Sequence, residues 1–123
     1  PHIVLVELGG NDALRGLPPA ETYANLESII VKLKKNGVRV VLAGMQAPRN
    51  LGKDYTLEFD AIYPQLARQY DISLYPFFLD GVALDPALNQ PDGIHPNPAG
   101  VKVIVKKILP LLESELQKLN PEN

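Results

Sequence analysis

Apolar residues fall along this chain in two alternating rhythms, short continuous runs and helical stripes. Residues 2–8 are β-branched and almost continuously apolar, and the run stops at Gly9-Gly10. Such a run predicts a strand covered on both faces, as the strands of parallel sheets are. Over residues 20–36, Tyr23, Leu26, Ile29, Ile30 and Leu33 recur at helical spacing. Lys32, Lys34 and Lys35 load the last turns of that helix and Gly37 supplies the stop. Residues 38–43 predict a second buried strand, and residues 44–54 a loop punctuated by Pro and Gly. Thr56 is then the candidate N-cap of a helix with Phe59, Ile62, Tyr63, Leu66 and Tyr70 on one side. Pro64 inside it predicts a kink. Residues 72–78 predict a third strand.

The next stretch, residues 79–97, holds Gly81, Pro86, Pro91, Gly93 and Pro96 and has no strong period. Loops of this length in compact domains are mostly functional or disordered. Asn97-Pro98 opens the last helix, Asn as N-cap and Pro at the first helical position. Val101, Ile104, Val105, Ile108 and Leu112 are expected to face inward, Lys102, Lys106 and Lys107 outward, and Pro110 to bend the helix. Residues 120–123 are expected to fray.

Strand and helix alternate three times, which with right-handed crossovers predicts an α/β fold, a three-layer αβα sandwich on a flavodoxin-like parallel sheet. All three strands then point the same way. The turns at residues 9–16, 44–53 and 79–97 follow the strands and gather at the carboxyl edge of the sheet, where open α/β sheets bind ligands.

Composition narrows the functions more than it changes the fold. At 123 residues the chain is one domain at most. A formal net charge of -2, with the lysines spread over helix faces, gives no footprint for nucleic acid. Zero cysteines exclude a disulfide framework, a thiolate nucleophile and a thiolate metal site. No apolar stretch is long enough for a transmembrane segment. The chain starts without Met, two residues before an apolar run, and reads as a piece cut from something longer.

Two turns carry candidate chemistry. Asn11 stands in a glycine-rich turn just beyond a buried strand, where a neutral carboxamide suits donation to a developing oxyanion. The same Gly-Gly-Asn-Asp wording also serves as a plain turn. Asp92 and His95 stand three apart in Pro91-Asp92-Gly93-Ile94-His95-Pro96-Asn97. A carboxylate brought to the imidazole Nδ1–H fixes the tautomer and leaves Nε2 to take a proton. Read alone, that segment is more readily a proline-bounded loop with an N-terminal helix cap. A metal site finds little support, because His2 and His95 are the only histidines and His2 sits at the far end of its strand. A nucleotide-binding reading lacks a phosphate-cradling glycine loop.

Taken together, VLVELGGNDALRGLPP, VLAGMQAPRNLGKDY, LYPFFLDGVA and QPDGIHPN resemble the SGNH (GDSL-type) hydrolases, in the branch of bacterial acyl-CoA thioesterase I, lysophospholipase L1 and arylesterase. The similarity runs over nearly the whole chain. It implies that Asp92 and His95 are the acid and base of a catalytic triad, that Asn11 is an oxyanion-hole donor, and that Gly9 shapes its turn. Gly9, Gly10, Asp12, Leu14, Leu17 and Pro48 are implied as substrate-binding, with residues 13–18 a mobile loop beside an acyl-chain groove. Leu14 and Leu17 equally serve to pack that loop down.

The resemblance further implies that residues 1–123 are the C-terminal part of a single SGNH domain lacking its N-terminal strands. The nucleophilic serine and an oxyanion glycine would lie upstream, on roughly sixty residues or about two strand–helix units. Nothing here replaces that serine, since Ser28 falls mid-helix, Ser73 at the wrong end of its strand, Ser114 on the last helix, and Thr22 and Thr56 at helix starts. The implied partners are an acyl ester or thioester substrate and the chain's own N-terminal fragment. No metal or organic cofactor is implied, and the compartment is periplasmic or secreted, with a cytoplasmic one as alternative. A noncatalytic, truncated SGNH-like binding module is the other reading of the same residues.

Overall fold

The computed structural model describes residues 1–119, so the fraying expected at residues 120–123 lies outside the described residues. The chain divides into two compact units, Pro1–Phe77 and Phe78–Asn123. In the first unit, strands β1 (Ile3–Val6), β2 (Arg39–Ala43) and β3 (Ser73–Tyr75) form a parallel sheet in the order β1-β2-β3. Ile3 lies opposite Arg39 and Val6 opposite Leu42, while Val41 lies opposite Ser73 and Ala43 opposite Tyr75. Helices α1 (Gly10–Leu14) and α2 (Pro19–Lys35) connect the first pair of strands, and α3 (Lys53–Tyr70) connects the second.

Alternation along β2 explains why this strand is central. Val40 and Leu42 join Val6, Leu26, Ile30, Phe59, Ile62, Tyr63 and Leu66 in one apolar cluster. Val41 and Ala43, on the opposite face, are equally buried. A strand covered on both sides must be apolar where it is buried, as this one is from Val40 to Ala43. At the end of α2 the Val38 amide donates to the Leu33 carbonyl and the Gly37 amide to the Lys34 carbonyl, closing the helix where the sequence places its stop.

Several local expectations differ from what forms. The strands are shorter than their apolar runs, and part of the expected turn at residues 9–16 is helix α1. Thr56 is the fourth residue of α3 rather than its cap. Gly52 holds the cap position, and the Thr56 hydroxyl donates to the Lys53 carbonyl. Neither Pro64 nor Pro110 interrupts its helix. Each proline removes one ladder bond, and buried residues in the adjoining turns, Tyr63 and Leu66 in one helix and Ile108 in the other, keep those turns packed.

The second unit consists of residues 78–97, which contain turns and one isolated bridge, and helix α4 (Pro98–Leu119). The Asn97 carboxamide oxygen accepts the Gly100 amide at 2.9 Å, the capping bond expected of Asn before Pro. Of the apolar positions expected to face inward, Ile104 and Ile108 are buried, whereas Val101 and Val105 are 49% and 51% exposed. The buried line is Gly100, Ile104, Ile108 and Glu115, a single ridge narrower than the periodic stripe. Glu115 is a buried residue that an apolar pattern does not select, and the Lys118 ammonium donates to its carboxylate.

Candidate active site

Backbone strain and a close approach together dictate the turn that leads to Asn11. Gly9 has φ 107°, the left-handed region that favours glycine. A Cβ at Gly9 would also stand 2.1 Å from the Tyr63 hydroxyl. That hydroxyl is there because it donates to the Leu8 carbonyl at 2.7 Å, at the exit of β1. Burial, and then the carboxylates of Glu7, Asp12 and Asp60, push the Tyr63 pKa well above its ordinary value. Tyr63 therefore stays a protonated donor.

Two more side chains hold the same segment. The Thr22 hydroxyl donates to an Asp12 carboxylate oxygen at 2.8 Å, and the Tyr55 hydroxyl to the Leu17 carbonyl at 2.6 Å. Tyr55, Phe59 and Tyr63 stand one turn apart on α3 with ring centroids 6.2 and 5.9 Å apart, so one aromatic ladder delivers hydroxyls to both ends of residues 8–17. Their roles depend on contacts 38 and 55 residues away in sequence. The only hint in the sequence is that a buried Tyr must find a partner for its hydroxyl.

Within that frame Asn11 is exposed, and its carboxamide makes no hydrogen bond among the described residues. Leu14 is exposed, Leu17 is half-buried, and the Asp12 carboxylate is engaged by Thr22. Residues 13–18 are tied by backbone bonds from the Gly16 amide to Ala13 and from the Leu17 amide to Asp12. Pro48 lies in the loop after β2, which follows the same edge of the sheet. Met45 of that loop lies beside Gly10, its methyl carbon 3.2 Å from where a Cβ would stand. The Ala47 amide and Arg49 both bond to Asp60, at 2.8 and 2.6 Å, holding the loop against α3. Gly9, Gly10, Asn11, Asp12, Leu14, Leu17 and Pro48 thus share the carboxyl edge of β1 and β2 in the first unit.

Asp92 and His95 belong to the second unit, where the turn brings them together. One carboxylate oxygen of Asp92 accepts the amides of Ile94 and His95 at 2.9 and 3.0 Å. The other lies 2.6 Å from His95 Nδ1. The ring contact first, then the His95 and Ile94 amides, hold the Asp92 carboxyl down at about 2. A carboxylate at neutral pH only accepts, so Nδ1 carries the hydrogen and Nε2 is left as the basic atom.

A depressed carboxyl pKa means that the contact contributes fully above the unfolded value and is lost as pH falls through the folded one. The Ile94 and His95 amide shifts should accordingly titrate with a midpoint near 2 rather than near the ordinary 3.8. An acid titration followed by nuclear magnetic resonance checks this. A midpoint at the ordinary value would show that the bonds do not persist in solution.

None of the three serines belongs to either turn. Ser28 is on α2, Ser114 on α4, and Ser73 opens β3 at the end opposite the carboxyl edge. Thr22 and Thr56 are buried in the first turns of α2 and α3, each with its hydroxyl bonded. Among the described residues, no three His, Cys, Asp or Glu side chains group so as to hold a metal ion. No helix among them is long and apolar enough to cross a membrane.

Comparison with known proteins gives the family and the fold. The GDSL-like Lipase/Acylhydrolase family matches residues 1–103. The Escherichia coli (strain K12) protein named thioesterase 1/protease 1/lysophospholipase L1 is 46% identical over 97 residues, 79% of this chain and 47% of that protein. Among solved structures, that of TesA superposes with a TM-score of 0.87 at 40% identity, covering 93% of this chain and 63% of that one. AlinE4, described as an SGNH-hydrolase family esterase, superposes with a TM-score of 0.73 at 47% identity, covering 94% of this chain and 61% of that one. The chain spans about half the length of the curated relatives it matches. The fold is the α/β fold of the SGNH hydrolases, and the chain belongs to the GDSL-like lipase/acylhydrolase family.

Proposed function

We propose that this chain is the base-bearing part of a serine hydrolase that cleaves carboxylic esters and thioesters, with the nucleophilic serine on a preceding segment of the same SGNH domain. The observation that carries this reading is the Asp92–His95 contact at 2.6 Å, made by a carboxylate whose other oxygen is fixed by two backbone amides. His95 Nε2 takes the serine proton as the serine attacks the acyl carbonyl, and returns it to the leaving alcohol or thiol. Asp92 holds the ring and stabilises the imidazolium. Asn11 donates to the oxyanion, and water then hydrolyses the acyl-enzyme by the same proton path.

Substrates of this class present a carbonyl and an apolar tail. Acyl thioesters, lysophospholipids and aryl esters all do so, and Leu14 and Leu17 are the proposed contacts for the tail. Gly9, Gly10, Asp12 and Pro48 shape the floor beside it. A periplasmic or secreted location accompanies this reading.

The test is hydrolysis of a chromogenic acyl ester and an acyl thioester by the enzyme that contains this chain together with its serine segment. Asn11→Ala should lower kcat by about two to three orders of magnitude with a much smaller effect on KM, the cost of one oxyanion donor. Activity should survive exhaustive chelation. Loss of activity with EDTA, restored by zinc, would contradict the triad. An Asn11→Ala enzyme with unchanged kcat and a raised KM would make the turn a substrate contact instead.

A further inference from the structure

Asp92 and His95 are both exposed, so packing does not hold them and hydrogen bonds must. The turn they occupy closes a very short stem. The Gln90 amide donates to the His95 carbonyl at 2.7 Å and the Asn97 amide to the Leu88 carbonyl at 3.0 Å, on either side of the antiparallel bridge between Asn89 and Pro96. Pro96 has no amide to add. A two-stranded stem of this size is marginal on its own in water.

Two asparagine side chains supply what the stem lacks. Asn89 is buried, and its Nδ2 donates to the Val82 carbonyl at 2.8 Å and to the Asp85 carbonyl at 2.9 Å. This ties one strand of the stem to the preceding turn. Asn97 Nδ2 donates to the carbonyls of Ala87 and Asn89 at 2.9 and 3.3 Å, while its Oδ1 caps α4. The stem also lies against the start of that helix, because the Leu88 carbonyl oxygen stands 2.1 Å from where a Cβ of Gly100 would be. An apolar side chain at position 89 would take one of two donors from each of the Val82 and Asp85 carbonyls, which also accept the Asp85 and Leu88 amides at 3.2 and 3.0 Å, and would untie the stem from the preceding turn.

We propose that Asn89, seconded by Asn97, is a positioning residue for the Asp92–His95 pair, holding the stem so that the carboxylate meets the imidazole before any substrate arrives. The catalytic meaning of that alignment rests on the hydrolase reading. The alignment itself does not.

The test is made on the full chain by nuclear magnetic resonance near neutral pH, reading the His95 ring tautomer and the hydrogen exchange of the Ile94 and His95 amides. Asn89→Ala should shift the ring away from the Nδ1–H tautomer and raise exchange of those two amides by about tenfold, the scale of one lost hydrogen bond. The amides of Ile104 and Ile108 in α4 should exchange as before, which a merely structural lesion would not allow. Should Asn89→Ala fail to fold, Asn97→Asp decides the matter, because it keeps the cap oxygen for Gly100 and removes both donors to the stem. The same loss of the tautomer and of amide protection supports the proposal. Retention of the tautomer and the exchange rates of the parent in a folded variant overturns it. Both outcomes are read without turnover, so they are independent of whether the assembled protein hydrolyses esters.

Discussion

His95→Ala is expected to lower kcat for ester hydrolysis by about six orders of magnitude in the assembled enzyme, the scale on which serine triads lose their base. Nε2 is the only basic atom the Asp92 contact leaves exposed, and no second histidine stands in the turn that could substitute. Asp92→Asn should cost about four orders of magnitude, because an amide in place of the carboxylate favours the wrong tautomer and no longer stabilises the imidazolium. Both variants should keep their thermal unfolding midpoints near that of the parent, since the two side chains are exposed and pack little. Steady-state rates on a chromogenic ester, with thermal melts as controls, check this. A folded His95→Ala enzyme within about tenfold of the parent would remove general-base catalysis from the account, as such catalysis is worth more than that.

The parts of the fold that were legible in the sequence are those decided locally. Residues 40–43 are apolar without interruption because that part of β2 is covered on both faces. Gly37 and Asn97-Pro98 mark helix ends because their bonds close within a few residues of themselves. The Asp92–His95 contact was legible for the same reason, spanning three residues.

What the sequence hid is longer-range or smaller. Helix α1 has five residues, too few for a period to show. Thr56 has the chemistry of a cap, yet Gly52 and Lys53 start the helix a turn earlier. Val101 and Val105 carry the helical spacing of a core face, but the ridge that is buried runs through Gly100, Ile104 and Ile108. The hydroxyls of Tyr55 and Tyr63 and the carboxamide of Asn89 have no signature in the sequence, because their partners are carbonyls that no side-chain pattern announces.

The same partition applies to the site. Asn11 is recognisable as a residue type in a glycine turn, but the rigidity of that turn comes from α2 and α3, through Thr22, Tyr55 and Tyr63. Asp92 and His95 are recognisable by spacing, while the stem that aligns them is built by Asn89 and Asn97. The residues proposed for the chemistry thus have a local signature, whereas those that hold them bond to backbone carbonyls and have none.

The measurement that bears most directly on the central claim is labelling by a fluorophosphonate probe, which reports an activated serine and nothing else in the triad. The account predicts no labelling of residues 1–123 alone, because Ser28, Ser73 and Ser114 lie on α2, at the wrong end of β3 and on α4. It predicts stoichiometric labelling of a serine outside these residues once the preceding segment is present, abolished by His95→Ala. Labelling of Ser28, Ser73 or Ser114 in the chain alone, or labelling of the assembled enzyme that persists in His95→Ala, would contradict it.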